Sequence, residues 1–137
     1  MGKHDKLEFY VMKNSSKLFG EEFNLKRKTK LNNQKVDLSG TDAEGRVVIV
    51  EIKAKTTKQP SDDLHEVVGQ ILNYATKFMK NEKRSVDLKD HSKHLRLFIV
   101  QEKPKEEYQK ALEDISEFLC IHGINIKPIF VESNYTD

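Results

Sequence analysis

The sequence has little of what marks secreted or membrane proteins. Among its 137 residues it has one cysteine, Cys120, no tryptophan and only three prolines. A single cysteine cannot form an internal disulfide, which excludes a disulfide-rich secreted scaffold and favours a reducing compartment. No run approaches the roughly 20 apolar residues of a membrane helix, and no apolar segment follows the N-terminus as a secretory signal requires. We expect a single cytoplasmic domain, 1–137, with one sizeable core and no membrane contact.

The net charge is small, but the charges are unevenly distributed. The chain has 24 basic and 22 acidic side chains, for a formal net charge of +2. Nine Lys or Arg stand against four acids between Lys26 and Lys58, and six acids stand against three lysines in 102–117. A basic first half suits contact with a polyanion, with the acidic segment facing away. An unevenly charged, solvated surface explains the same distribution, so charge alone does not identify a nucleic-acid-binding protein.

Hydrophobic periodicity predicts an α/β domain. Helical spacing runs from about residue 6 to residue 19, with Gly20 as a plausible end. The other predicted helices follow Pro60, with Ser61 as a cap, and Pro104, ending near Gly123. The predicted strands are 23–31, 36–41, 47–53, 95–100 and 124–131, with a loop at 80–94. The order α-β-β-β-α-β-α-β predicts a central mixed β-sheet with helices on both faces.

Three charged residues are predicted at the adjoining ends of two strands. Because side chains alternate along a strand, Glu51 and Lys53 project to the same face and extend an otherwise apolar surface. If residues 43–45 form a three-residue hairpin loop with Gly45 in the left-handed conformation, Asp37 lies directly opposite Glu51. Opposed side chains have Cβ atoms roughly 4.5–5.5 Å apart. Two carboxylates that close repel each other unless a cation lies between them.

Two kinds of cation meet this requirement. Lys53 alone would make the group an ion pair at the end of a sheet. A divalent ion would instead use the two carboxylates together with waters and phosphate oxygens, an arrangement that suits Mg²⁺. Such an ion would polarise a scissile phosphate and make its bound water more acidic. Lys53 would then orient or deprotonate the attacking water, or stabilise the developing charge.

The spacing of these residues resembles a known motif. Val36-Asp37 stands fourteen residues before Glu51-Ile52-Lys53, which is similar to the PD-(D/E)xK motif of the restriction-endonuclease-like nuclease superfamily. The predicted order of elements also matches the core of that superfamily, although Val36 replaces the usual proline. The resemblance implies a restriction-endonuclease-like core that hydrolyses phosphodiester bonds of DNA, as an endonuclease.

The second-helix region resembles RecB-like nucleases more closely. The run VVGQILNYATKF is similar to the family's usual Val-Gly-Gln-x-Leu-x-Tyr segment, and Gln70 and Tyr74 reproduce its QxxxY element. Four residues apart in a helix, the two side chains share one face. In the family this pair borders the active site and helps to place the catalytic lysine and the DNA strand.

The first helix resembles that of NucS-type endonucleases, in which a glutamate completes the metal site. The segment Leu7–Gly20, LEFYVMKNSSKLFG, carries this resemblance, and Glu8 is the matching residue. Glu21 or Glu22 would take the role if the helix were shifted. Together the matching segments extend over nearly the whole chain, from Leu7 to about Val131.

The resemblance implies a role for each of these residues. Asp37, Glu51 and the backbone carbonyl of Ile52 would hold Mg²⁺ or Mn²⁺, with Glu8 assisting directly or through water. Lys53 would act on the attacking water. The candidate phosphate contacts are Lys26, Lys28, Lys30, Lys55 and Lys58. Such contacts give affinity without reading sequence, and they weaken steeply with salt.

An alternative function and several assemblies stay open at this stage. A non-catalytic module with the nuclease fold would bind DNA or a partner without cutting, although it has no reason to keep the two acids and the lysine. A homodimer or accessory subunits are plausible for a domain of this size. Zinc spacing is absent from the remaining candidate ligands, which are His4, His65, His91, His94 and Cys120.

Overall fold

A computed structural model of the chain describes residues 2–31, 34–54, 60–81 and 88–134. Its elements are α1 (Lys3–Lys13), α2 (Ser15–Phe19), β1 (Lys26–Leu31), β2 (Gln34–Thr41), β3 (Val47–Lys53), α3 (Pro60–Asn81), a 3₁₀ helix (Leu88–Lys93), β4 (Leu95–Glu102), α4 (Glu106–Ile121) and β5 (Ile126–Val131). The strands form a five-stranded sheet in the order β1-β2-β3-β4-β5. The first three strands pair antiparallel and the last three pair parallel. The mixed sheet predicted from the sequence is therefore confirmed.

Helices cover both faces of this sheet because its central strands are apolar on both sides. Val50 and Phe98 lie in one core with Leu7 of α1. Ile49 lies in the other core with Ile71 of α3. Consecutive residues of β3 thus enter opposite cores, as strand alternation requires, and this explains its continuous apolar run. Within the described ranges, no helix combines the length and the apolar composition needed to span a membrane.

The hairpin of β2 and β3 sets the geometry of the predicted site. Leu38 pairs with Val50, and Gly45 in the loop has a φ of +83°. That left-handed backbone favours glycine, because a Cβ atom would be strained there. Continued by one residue, the pairing sets Asp37 opposite Glu51, which is the register predicted from the sequence.

The elements differ from the predicted ones in several places. The first helix is divided at Asn14, whose backbone N–H and side-chain amide both donate to the carbonyl of Tyr10, at 3.0 and 2.8 Å. A side chain that competes for a helix carbonyl favours such a break. β1 begins only at Lys26, β4 continues through two buried polar residues to Glu102, and a 3₁₀ helix (Leu88–Lys93) occupies part of the predicted loop.

Gly40 allows the segment just before β1 to pass close to β2. The chain before β1 lies directly against β2, and a Cβ atom on Gly40 would stand 1.8 Å from the carbonyl oxygen of Asn24. The backbone N–H of Asn24 donates to the carbonyl of Thr41 at 3.2 Å. Only glycine permits this approach, which brings the neighbouring Phe23 into the core beside α2.

Candidate active site

Asp37 and Glu51 lie beside each other at the end of the β2–β3 hairpin that is far from its loop. An oxygen of Asp37, Oδ2, accepts the backbone N–H of Ile52 at 2.9 Å. Glu51 is only 6% exposed, whereas Asp37 is half-buried. Lys53, two residues further along β3, is also half-buried. The end of the hairpin therefore holds two carboxylates and a lysine in a partly enclosed position.

The two carboxylates titrate very differently. Burial, and after it the charge of the neighbouring Asp37, raise the pKa of Glu51 to about 9. Burial also raises the pKa of Asp37, but hydrogen bonds from His4 and the Ile52 amide outweigh it and hold that pKa below its usual range. The buried Oε2 of Glu51 has no hydrogen-bond partner among the described residues. A buried acceptor without a donor leaves this oxygen open to a further partner.

α1 brings two more side chains with ligand chemistry to Asp37. Glu8 is fully buried, and its Oε2 lies 3.2 Å from Nδ1 of His4. The other ring nitrogen of His4, Nε2, lies 3.4 Å from Oδ2 of Asp37. One ligand atom from each of the three residues falls within 4.8 Å of the others. The hydrogen bond to Asp37 raises the pKa of His4, against the opposing effect of burial.

This set of donors suits a divalent cation. Carboxylate oxygens are the preferred ligands of Mg²⁺ and Mn²⁺, and an imidazole nitrogen favours the transition metal over Mg²⁺. The site provides such ligands. Glu51 has an oxygen without a hydrogen-bond partner among the described residues, and ligand atoms of His4, Glu8 and Asp37 lie close together. The residues present therefore fit a metal ion.

α3 contributes the two residues of the QxxxY element. Tyr74 is half-buried, and its pKa is raised by burial and then by the charges of Glu51 and Asp37. Its hydroxyl is therefore within electrostatic reach of both carboxylates. Gln70 lies one helical turn earlier and is half-buried as well, so the two side chains share one face of α3.

The predicted phosphate contacts are only partly described. Lys26 and Lys28 of β1 are exposed. Nζ of Lys28 lies 3.2 Å from Oδ1 of Asp5 in α1, and Lys28 has a φ of +47°, which side chains rarely adopt. The side chain of Lys30, together with the residues Lys55 and Lys58, lies outside the described part of the chain.

Among the glutamates proposed to assist the metal, the structure brings Glu8 to Asp37. Glu21 is exposed, and its Oε2 lies 2.7 Å from Nη1 of Arg96. Glu22 is exposed too. The break at Asn14 ends α1 before either residue, so Glu8 is the one of these three glutamates that α1 brings to Asp37.

Sequence reasoning missed three residues near this site. His4 was considered only for zinc spacing, although its position four residues before Glu8 places both on one face of a helix. Arg27 was not singled out in the sequence, and its Nε donates a hydrogen bond to Oε1 of Glu8 at 2.8 Å. Gln101 is fully buried and pairs with Lys53 in the β3–β4 register. In the sequence, only its position directly after the apolar run of β4 indicates that Gln101 is buried near the site.

No protein-family model and no curated protein sequence matches the chain. Solved structures do match it. A repair endonuclease from Pyrococcus abyssi is 17% identical with a TM-score of 0.58, and the match covers 96% of this chain and 48% of that one. The EndoMS–dsDNA2 complex is 15% identical with a TM-score of 0.59, covering 96% and 45%. This chain thus spans slightly less than half the length of either protein. Nearly all of it has the restriction-endonuclease-like fold, which it shares with the matching part of both structures.

Proposed function

We propose that this chain is a metal-dependent nuclease that hydrolyses phosphodiester bonds of DNA as an endonuclease. The observation that carries the proposal is the buried Glu51 carboxylate beside Asp37, with an oxygen that no described residue satisfies. Leaving a buried polar group unsatisfied costs about 1–3 kcal/mol, and more for a charged group. A cation bound there would offset that cost. The fold shared with repair endonucleases supports DNA as the substrate.

The ion is Mg²⁺ or Mn²⁺, held by Asp37, Glu51 and the backbone carbonyl of Ile52. Glu8 and His4 complete the donor set from the side of α1, consistent with their distances from Asp37 and each other. When bound, the ion polarises the scissile phosphate and makes a coordinated water more acidic.

Lys53 acts on the attacking water and stabilises charge that develops on the phosphate. The water oxygen bonds to phosphorus as the bond to the leaving sugar oxygen breaks. The water gives up a proton to the surrounding solvent, and the leaving oxygen takes one up. Gln70 and Tyr74 place Lys53 and the DNA strand, in keeping with the effect of both carboxylates on the pKa of Tyr74.

Basic residues on both sides of the site bind the DNA backbone. In this proposal the contacts come from Lys26, Lys28, Lys30, Lys55 and Lys58. The exposed Lys26 and Lys28 support it, since both extend from the strand that flanks β2. Their contacts are with phosphates, so they give affinity that does not depend on base sequence.

The test is cleavage of circular single-stranded DNA and supercoiled plasmid with Mg²⁺, Mn²⁺ or a chelator. We expect circles to be cut with either metal and to stay intact with the chelator. Asp37→Ala and Lys53→Ala should abolish cutting, whereas Lys110→Ala, an exposed change on α4, should not. Cleavage that survives in Asp37→Ala would remove the proposed site. Binding of DNA without metal-dependent cleavage would identify a non-catalytic module instead.

A further inference from the structure

Glu8 is a fully buried carboxylate whose two oxygens face different partners. Oε1 accepts a hydrogen bond from Nε of Arg27 at 2.8 Å. Oε2 lies 3.2 Å from Nδ1 of His4 and has no hydrogen bond among the described residues. A buried carboxylate is held in place only by partners that compensate its lost hydration. Arg27 binds one oxygen and thereby turns the other toward His4 and Asp37.

The guanidinium of Arg27 is itself fixed by three residues of α1. Its Nη2 donates to Oδ1 of Asp5 at 3.1 Å, and Nε donates to Glu8. Its central carbon lies 4.0 Å from the centre of the Phe9 ring. The planar fork of arginine can bridge two acids and stack on a ring at the same time, which a lysine ammonium cannot do.

The strand position of Arg27 makes this contact possible. Arg27 pairs with Leu38, which belongs to the core on the α1 side of the sheet, so both side chains face α1. The next residue, Lys28, has a φ of +47° and also reaches Asp5. Non-glycine residues with such a backbone cluster at functional sites, because strain persists only where surrounding contacts hold it. β1 and α1 are thus joined directly beside Asp37.

From these contacts we infer that Arg27 is a positioning residue for the metal centre, acting through Glu8. This inference rests on the proposed function, because it gives Glu8 a ligand's role. Arg27 does not touch the metal or the substrate; it sets the direction of Glu8 and ties α1 to the sheet. Groups that orient a metal ligand typically affect metal affinity 10–100-fold when they are changed.

Coulomb attraction alone predicts the opposite effect. Removing a positive charge beside the site would strengthen the binding of a divalent cation. Arg27→Lys keeps the charge and loses the fork, so it isolates geometry from charge. Arg27→Gln removes both, and weaker metal binding in that variant can come only from lost positioning.

The test is titration of Mn²⁺ into the full chain by calorimetry, which needs no catalysis. Arg27→Lys and Arg27→Gln should each bind Mn²⁺ about tenfold more weakly than the unaltered chain. Phe9→Leu leaves the charges of Arg27 and Glu8 unchanged and should weaken Mn²⁺ binding about two- to fivefold. It provides a second variant if the arginine changes prevent folding. The Mn²⁺ concentration that half-activates cleavage should rise most in the two arginine variants and less in Phe9→Leu. The KM for DNA should be unchanged in all three.

Arg46→Lys is the matched control. Arg46 also donates through Nε to a buried carboxylate, Asp42, at 2.8 Å, but at the loop end of the hairpin. The Arg46→Lys variant should bind Mn²⁺ with the same affinity as the unaltered chain. Unchanged or stronger binding in both arginine variants and in Phe9→Leu would overturn the role of Arg27 and leave the nuclease proposal intact. Absence of Mn²⁺ binding in the unaltered chain would overturn both.

Discussion

Two buried carboxylates stand at opposite ends of the β2–β3 hairpin, and they are satisfied very differently. Asp42, at the loop end, is 8% exposed. It accepts the backbone N–H groups of Glu44 and Arg46 at 3.0 and 2.9 Å, and Nε of Arg46 at 2.8 Å. Glu51, at the other end, is 6% exposed and has an oxygen without a hydrogen-bond partner among the described residues.

Their pKa values follow the same division. Burial alone would raise the pKa of Asp42, but hydrogen bonds from Arg46 and Glu44 hold it below its usual value. Burial and the adjacent Asp37 charge raise the pKa of Glu51 to about 9. The comparison teaches that burial by itself does not mark a functional acid. Asp42 finds donors within its own loop, whereas Oε2 of Glu51 has none among the described residues. That oxygen is therefore suited to a ligand from solution.

Catalysis gives the largest expected difference between the two acids. Glu51→Gln removes the charge of a proposed metal ligand, and we expect kcat to fall about a thousandfold in Mn²⁺. Asp42→Asn should change kcat per folded molecule less than about threefold, because the groups that Asp42 contacts, in its own loop and at Arg96, lie outside the proposed metal site. Steady-state cleavage of a supercoiled plasmid measures both, corrected for the folded fraction by circular dichroism. An equal loss of kcat in the two variants would show that Glu51 and Asp42 do not differ in their importance for catalysis.

Stability without metal should show the reverse ranking. Asp42→Asn weakens charge-assisted hydrogen bonds in a buried site, and we expect the free energy of unfolding to fall by about 2–3 kcal/mol. Glu51→Gln removes an uncompensated buried acid and should leave that free energy within about 0.5 kcal/mol, or raise it. Urea unfolding at pH 8 with a chelator provides the comparison. A large destabilisation by Glu51→Gln would mean that Glu51 is a structural acid.

The pH dependence of stability sharpens the contrast further. The pKa of Glu51 rises from 4.5 to about 9 on folding, so between these values the folded chain keeps a proton that the unfolded chain has lost. The resulting stability is complete below pH 4.5 and is lost as pH rises toward 9, by at most about 1.4 kcal/mol per pH unit. Thermal unfolding in a chelator should show this decline, and Glu51→Gln should flatten it. A decline that persists in Glu51→Gln would assign it to another group.

The smallest expected effect concerns DNA binding at the Glu51 end. Lys28 lies beside Asp37, and Lys28→Asn removes its charge with a residue that tolerates the left-handed backbone. We expect the affinity for DNA to fall severalfold and the salt dependence of log K to decrease by about one unit. Lys110→Asn on α4 is the control and should change neither. Fluorescence anisotropy over a salt series measures both quantities, and an unchanged slope in Lys28→Asn would remove it from the phosphate contacts.

The parts of the site that were predicted from the sequence are local ones. Gly45 marks the loop, alternation sets the faces of β3, and the register then follows by counting to Asp37 and Glu51. Each of these steps depends on residues close in sequence, where backbone geometry leaves few choices. The same reason explains why Gly20 was correctly predicted to end the first helical region, since it has a φ of +74°.

The parts that were missed depend on packing between distant segments. His4 and Arg27 are ordinary charged residues in sequence, and only the docking of α1 against β1 brings them to Glu8 and Asp37. Lys28 was predicted as a phosphate contact, but its positive φ was not predicted, because strand periodicity assumes a regular backbone. Local patterns do not encode which helix face meets which strand, so these contacts require the assembled fold.

In the proposal, the Glu51 end of the hairpin binds a divalent cation and the Asp42 end does not. Anomalous scattering from crystals grown with Mn²⁺ tests it most directly, because it locates the ion itself. We predict a peak within coordination distance, about 2.0–2.6 Å, of carboxylate oxygens of Asp37 and Glu51. A peak beside Asp42, or none near Asp37 and Glu51 at saturating Mn²⁺, would contradict the account.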